Sequence, residues 1–243
     1  MNLKNSADNT EIGLGDLEKT VIINTLIQTP IVERDQKWIG TFLENIADAN
    51  LKLGSPEVII ASDGFPYVQL ETVTSNEHFH AFVISKQLPT LLLQGFGIVI
   101  NAQTEQPDWI FTYGDIANFE LNDSFYSDES IFSNHKENVV IGNDEKVLIG
   151  QPSDAILPKY IRKQLREFLK HAGINIPKTM LIARNFEDET QVKQDLVFNF
   201  TPAQFANEQD FQQIGSTVAW FLPRHYSFLF IDEMSIESGF QEI

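Results

Sequence analysis

The feature that most constrains this chain is the way its apolar residues change spacing. Between Glu33 and Leu51, the residues Trp38, Ile39, Phe42, Leu43, Ile46 and Ala47 recur at three- and four-residue steps, which lays one apolar stripe along a helix. Glu33 and Asp35 suit its N-terminus, where carboxylates meet the positive end of the peptide dipoles. A few residues later the period drops. Glu57 to Ala61 and Tyr67 to Leu70 read as strands on either side of Asp63-Gly64, a turn pair in which glycine accepts positive φ.

The same reading extends along the chain. A polar arm from Asn2 to Gly15 leads to Asp16, which is placed to cap a helix running through Val21 and Leu26 and stopping before Pro30. Phe79 to Ile84 is apolar on both faces, as in a central strand. Ser85 can cap a short helix with Pro89 in its first turn and Gly95 at its end. Gly97 to Ile100 and Asp108 to Phe111 read as strands, and Asp115 as the cap of a helix through Ile116 and Phe119. Residues Asn122 to Asn138 hold Ser, Asp, Glu and Asn with scattered aromatics and read as a linker or long surface loop. Val139 to Ile141 and Val147 to Ile149 then flank a turn, as a hairpin does.

The last part is the most legible. Pro158 opens a helix striped by Ile161, Leu165, Phe168, Leu169 and Ala172, and Gly173 is placed to end it. Lys178 to Ala183 and Leu196 to Phe200 read as strands separated by a charged loop, Phe186 to Gln191. Phe211, Ile214, Val218 and Phe221 stripe a helix that restarts at Asn207 and stops at Pro223, and Tyr226 to Ile231 is a last strand. The chain is therefore expected to be α+β, as two small sandwich domains, each a mixed sheet with helices packed on it. The expected boundaries are 1–121 for an acidic N-terminal domain, 122–138 for the linker and 139–243 for the C-terminal domain. No repeat of fixed short period occurs.

Val147-Leu148-Ile149-Gly150, then Pro152, then Pro158 leading into an amphipathic helix, resembles the start of the C-terminal domain of SseB-type (enhanced serine sensitivity) proteins. Met180-Leu181-Ile182-Ala183, Leu196 to Phe200, the Phe211 to Leu222 helix with Pro223, and Phe228 to Asp232 follow in that family's order. The resemblance covers residues 147–232 and rests on an apolar pattern in a Gly/Pro frame. It implies a two-part α+β bacterial protein of undefined biochemical activity, and it brings no catalytic residue with it.

Composition narrows the functional classes. The chain contains no cysteine, which removes disulfides, thiolate metal sites and thiol nucleophiles together. No run of about 18 apolar residues occurs, the richest stretch, Leu88 to Ile100, being broken by Gln94, Gly95 and Gly97. Met1 to Thr10 lacks a basic-then-apolar leader pattern. A cytoplasmic protein that does not enter a membrane is expected. The net charge is −17, with 8 Lys+Arg against 22 Asp+Glu in residues 1–150 and 9 against 12 in residues 151–243. Such a surface repels duplex nucleic acid, whose binding depends on neutralising phosphates.

Reactive groupings are sparse. His78 and His80 would share a strand face and could contribute to a metal site with Asp63, Glu71 or Glu77, but three or four ligands must converge, and no metal or other cofactor is expected. No Gly-x-Ser-x-Gly elbow is present, and Gly215-Ser216-Thr217 falls inside a helix. Gly13-Leu14-Gly15 and Gly95-Phe96-Gly97 lack the third glycine of a dinucleotide fingerprint. Trp38, Trp109, Tyr113 and Trp220 could line a pocket, although such aromatics more commonly build cores.

One charged feature stands out. Lys159, Arg162, Lys163, Arg166 and Lys170 fall within one helix, and the steps 159, 163, 166, 170 place four of them on the face opposite Ile161, Leu165 and Phe168. These five are the candidate partner-binding residues. They would face an acidic protein, the acidic N-terminal part, or phosphate; a solvated face is the alternative. The expected function is that of a non-enzymatic binding or adaptor protein. The alternatives are an enzyme or small-molecule binder with a dispersed site around His78 and His80, and an immunity- or chaperone-like protein that neutralises a basic partner through the acidic N-terminal part. Oligomeric state is left open by the sequence.

Overall fold

The computed structural model describes residues 13–74, 78–103, 106–128, 130–133, 147–184, 192–236 and 238–243. Among them are six α-helices and two mixed sheets, of four and five strands, so the fold is α+β as the apolar spacing predicts. The chain divides into two units, Met1–Phe111 and Thr112–Ile243.

The first unit runs α1 (Leu17–Leu26), α2 (Gln36–Ile46), β1 (Leu51–Ile60), β2 (Pro66–Thr72), α3 (Ile84–Gln94), β3 (Gly97–Ile100) and β4 (Trp109–Phe111). Strands β1 and β2 form an antiparallel hairpin, α3 crosses over to a β3 parallel to β2, and β4 returns antiparallel. The helices start where the sequence places a cap. Asp16 accepts the Lys19 N–H at 3.0 Å, and Asp35 accepts the Trp38 N–H at 2.8 Å, each satisfying an amide that helix geometry leaves unpaired. One turn apart on α2, Trp38, Phe42 and Ile46 are buried. The rings of Trp38, Phe42, Trp109 and Phe111 pack with centroids 5.0 to 6.5 Å apart. Gly97 permits the sheet to close, because a Cβ there would lie 2.6 Å from the Tyr67 ring and 2.8 Å from the Phe111 carbonyl.

A nearly dry ion pair locks this unit. The Arg34 guanidinium meets Asp108 Oδ1 at 2.5 Å, with side chains only 8% and 10% exposed. It also lies over the Trp38 ring at 4.4 Å. Asn101 donates to the second Asp108 oxygen at 2.7 Å.

The expected strand at Phe79 to Ile84 does not form. Residues 78–81 are irregular, Phe82 makes a single bridge to Leu51, and α3 already begins at Ile84. Ile84, Leu88, Leu91 and Leu92 are all buried, so the last residue of the apolar run opens a helical stripe, and a short run does not reveal by itself which period it belongs to. Ser85 is consequently not the cap. Its hydroxyl donates to Asp48 at 2.7 Å, and Pro89 lies inside the helix.

The second unit runs α4 (Tyr113–Asn122), β5 (Leu148–Gly150), α5 (Lys159–His171), β6 (Lys178–Arg184), β7 (Lys193–Phe198), α6 (Glu208–Phe221), β8 (Phe228–Phe230) and β9 (Gln241–Glu242). Strands β5, β6 and β7 are successively antiparallel, and α6 crosses over to a β8 parallel to β7. Strand β9, which the apolar pattern does not announce, pairs with the start of β6. Ile161, Leu165, Leu169, Met180, Ile182, Leu196, Val197, Phe198 and Phe200 are fully buried.

Helix α4 falls in this second unit, whereas the sequence reading ended the first domain at 121. The reason is local packing. Gly114 sits so close to the end of α6 that a Cβ would lie 1.9 Å from the Leu222 carbonyl oxygen. Thr112 caps α4, and Asp115 is its reciprocal partner rather than the cap, accepting the Thr112 N–H at 2.9 Å. The fully buried Asp115 carboxylate also takes a two-pronged contact from Arg224 at 2.7 and 2.8 Å. In the 122–138 stretch, Phe125 and Phe132 are buried and Phe132 bridges to Gln194. Residues 129 and 134–138, Val139 to Ile141, the Phe186 to Gln191 loop and residues 1–12 lie outside the described residues.

The two units share a frame. In α2-β1-β2-α3-β3 and in α5-β6-β7-α6-β8, a helix precedes an antiparallel hairpin and a second helix leads to a strand parallel to the hairpin's second arm. The sequence carries no short-period sign of this, because the repeated object is a topology rather than a motif.

Two stability predictions follow from these contacts. Arg34→Ala strands a buried carboxylate and is expected to lower the unfolding free energy by about 3–5 kcal/mol in a urea titration; a loss under about 1 kcal/mol would show the pair to be dispensable. Lys178 and Asn199 hold the Glu233 carboxyl below its ordinary value of 4.5. A carboxyl lowered on folding stabilises the native state above its unfolded value and loses that contribution as pH falls through the folded value. Thermal unfolding of Glu233→Gln is therefore expected to fall less steeply than wild type below pH 4.5, and parallel curves would exclude the contribution.

Candidate functional site

Helix α5 is built by opposed faces. Ile161, Leu165 and Leu169 are at zero exposure, and each buried side chain of this size contributes about 1.5–3 kcal/mol. That burial fixes the rotation of the helix. Lys159, Lys163, Arg166 and Lys170 then fall within roughly 60° of its circumference on the opposite side. All four are exposed or half-exposed.

The five basic residues named from the sequence do not have one role. Arg162 is half-buried and donates to the Pro152 carbonyl, while burial pushes its pKa down against the opposing pull of Asp154. Arg166 donates to the Ile243 carbonyl at 3.0 Å. These two tie α5 to its neighbouring segments. Lys159, Lys163 and Lys170 form no ion pair or side-chain hydrogen bond among the described residues. The difference was not legible beforehand, because the arginines' acceptors are backbone carbonyls in segments whose approach no local pattern encodes.

The row works against its own helix. The α5 N-cap is Pro158, which offers no side-chain cap, and the first turn holds no acid. Lys159, Arg162 and Lys163 therefore stand near the positive end of the dipole, where cations are unfavourable. Like charges at 159/163, 162/166 and 166/170 are one turn apart and repel, and Glu167, four residues after Lys163 and three before Lys170, offsets part of this. Only Lys170 and His171 suit the end they occupy. Helix α2 holds the same place in the first unit's frame, and its residues Gln36–Ile46 include a single lysine, Lys37, and one acid, Glu44. The frame itself does not require a basic row.

Counted on the units, the charge is even. Residues 1–111 hold 6 Lys+Arg and 14 Asp+Glu, and residues 112–243 hold 11 and 20, giving −8 and −9. The contrast between residues 1–150 and 151–243 comes from residues 112–150, with 2 basic and 8 acidic residues, and does not mark the first unit as acidic relative to the second.

The other candidates separate. His78 and His80 are exposed on an irregular segment, not side by side on a strand. Asp63 accepts the Tyr67 hydroxyl at 2.6 Å and Glu71 faces Lys52 at 3.2 Å; Glu77 lies outside the described residues. Among the described residues, no three His, Asp or Glu side chains are grouped to hold a metal ion. Trp38 and Trp109 belong to the first unit's aromatic stack, whereas Tyr113 and Trp220 stack at 6.1 Å in the second. Ser133 and Ser227 both donate to the buried Asp195, at 3.1 and 2.5 Å. That arrangement ties residues 130–133 and the start of β8 to β7. Gly215 sits inside α6, where a Cβ would come to 3.6 Å from the Phe230 ring.

No family model, curated protein or solved structure matches the chain. Among the described residues, no helix is long and apolar enough to cross a membrane.

The division of roles within the row has a measurable consequence. Arg162→Glu with Arg166→Glu is expected to cost about 1–3 kcal/mol, because two carbonyls lose charged donors and acids replace them. Lys159→Glu, at the positive helix end, is expected to raise stability by about 0.3–1 kcal/mol. Thermal unfolding decides both, and a destabilised Lys159→Glu variant would mean that this lysine has a structural partner.

Proposed function

We propose that this protein is a non-enzymatic binding or adaptor protein that docks an anionic partner through Lys159, Lys163, Arg166 and Lys170 of α5. The observation that carries the reading is a row of aligned cations whose three lysines have no partner among the described residues. Lys159 and Lys163 oppose the helix dipole at the end where they sit, whereas Lys170 suits its own. Where local electrostatics contradict the fold's own preference, a functional demand is the usual compensation. The two arginines strengthen the reading, because anchoring α5 to Pro152 and Ile243 holds the row in place before a partner arrives and reduces the ordering that binding requires.

The resemblance of residues 147–232 to the C-terminal domain of SseB-type proteins agrees with this, since it implies a bacterial protein without a transferable catalytic motif, and a cytoplasmic setting suits a cysteine-free chain. The near-equal charge of the two units removes the main support for neutralisation of a basic partner by an acidic N-terminal domain.

The test compares wild-type protein with the Lys159→Glu, Lys163→Glu, Lys170→Glu variant in crosslinking from cells. A partner held by wild type at low salt, and lost both with the variant and when ionic strength rises to about 1 M, is the expected result, since surface charge pairs are screened there. A partner that the variant retains at both salt levels would place docking elsewhere.

A further inference from the structure

We infer that the occupant of the α5 row is an acidic polypeptide segment in helical form. This rests on the docking reading above and names the partner's chemistry. Three observations select it.

The first is spacing. At a rise of about 1.5 Å per residue, the four cations lie about 6, 4.5 and 6 Å apart along a straight axis, spanning about 16.5 Å. A second helix with acids at the same four-three-four steps repeats those intervals. An extended chain advances about 6.7 Å for every second residue, so three such steps span about 20 Å and drift out of register by the last charge.

The second is the apolar face. A helix that enters a lipid surface by insertion lays its apolar side into the acyl boundary. In α5 that side is already spent, because Ile161, Leu165 and Leu169 are at zero exposure within the second unit. What faces outward is cationic, with lysine stems able to lie along a partner helix.

The third is the field around the row. The unit that carries it has a balance of 11 basic against 20 acidic residues. A long polyanion such as duplex nucleic acid would extend past the row over a unit of net negative charge, which weakens the phosphate neutralisation on which its binding depends. A short acidic segment ends where the row ends, and at physiological salt the charges beyond about 8 Å are screened from it.

The experiment uses the full chain and isotope-labelled lysine and arginine side chains followed by NMR. The probe is a synthetic helix-forming peptide with glutamates at four-three-four spacing; the control has the same composition with its glutamates in one block. The expected result is shifts confined to Lys159, Lys163, Arg166 and Lys170, with the spaced peptide binding about tenfold tighter than the control and the Lys159→Ala, Lys163→Ala, Lys170→Ala variant losing about tenfold, as several exposed pairs acting together would give. Equal binding of the two peptides at the row would overturn the helical segment and leave the docking reading standing. Binding of a duplex DNA oligonucleotide or of anionic phospholipid vesicles at the row, with neither peptide bound, would overturn the choice of a polypeptide. No shift at the row with any probe would overturn both inferences.

Discussion

The rotation of α5 about its own axis is the constraint from which the rest of the functional argument descends. Three large aliphatic side chains, Ile161, Leu165 and Leu169, are removed from water on one face, and turning them out would cost several kcal/mol. A weaker set of interactions, the row of cations, is thereby held in a single direction that it would not choose for itself. Hydrophobic burial sets the geometry, and electrostatics uses it. Arg162 and Arg166 lie at the margin between the two, each with a guanidinium attached to a carbonyl of a flanking segment.

The first unit shows the contrasting use of charge. Arg34 and Asp108 are almost withdrawn from solvent, and ring stacking, a second carboxylate bond from Asn101 and backbone contacts surround them. Such a pair survives burial because its remaining hydrogen-bonding capacity is met nearby. In the second unit only the acid is buried: Asp115, which closes a capping box, also receives the exposed Arg224 from far along the chain. The lysines of α5 have no comparable arrangement among the described residues, and this difference within one molecule separates charge that serves the fold from charge that serves something else.

How much of this could be read from residues alone depended on the range of the interaction. Helices α2 and α6, with a stripe and a local cap, α5, with a stripe, and α1, with its Asp16 cap, were legible because each signal lies within a turn or two of its consequence. The stretch before α3 misled because Phe82, Val83 and Ile84 are apolar whichever period they follow. Asp115 was placed at the right helix and in the wrong position by three residues, since Thr112 holds the cap. The membership of α4, the shared frame of the two units and the partners of Arg162, Arg166 and Asp115 all depend on contacts between distant segments, and no local pattern encodes them. The basic row was visible as a spacing; its division into two anchoring arginines and three lysines without a described partner needed coordinates.

The most direct measurement of the central claim is the acylation rate of individual lysines, followed by mass spectrometry, in freshly lysed cells and in the purified protein. If the row is a docking face, Lys159, Lys163 and Lys170 react more slowly together in the lysate and recover together on purification, while the exposed Lys37 of α2 reacts alike in both. Unchanged rates at all three row lysines, in a lysate prepared at low salt, would contradict the account.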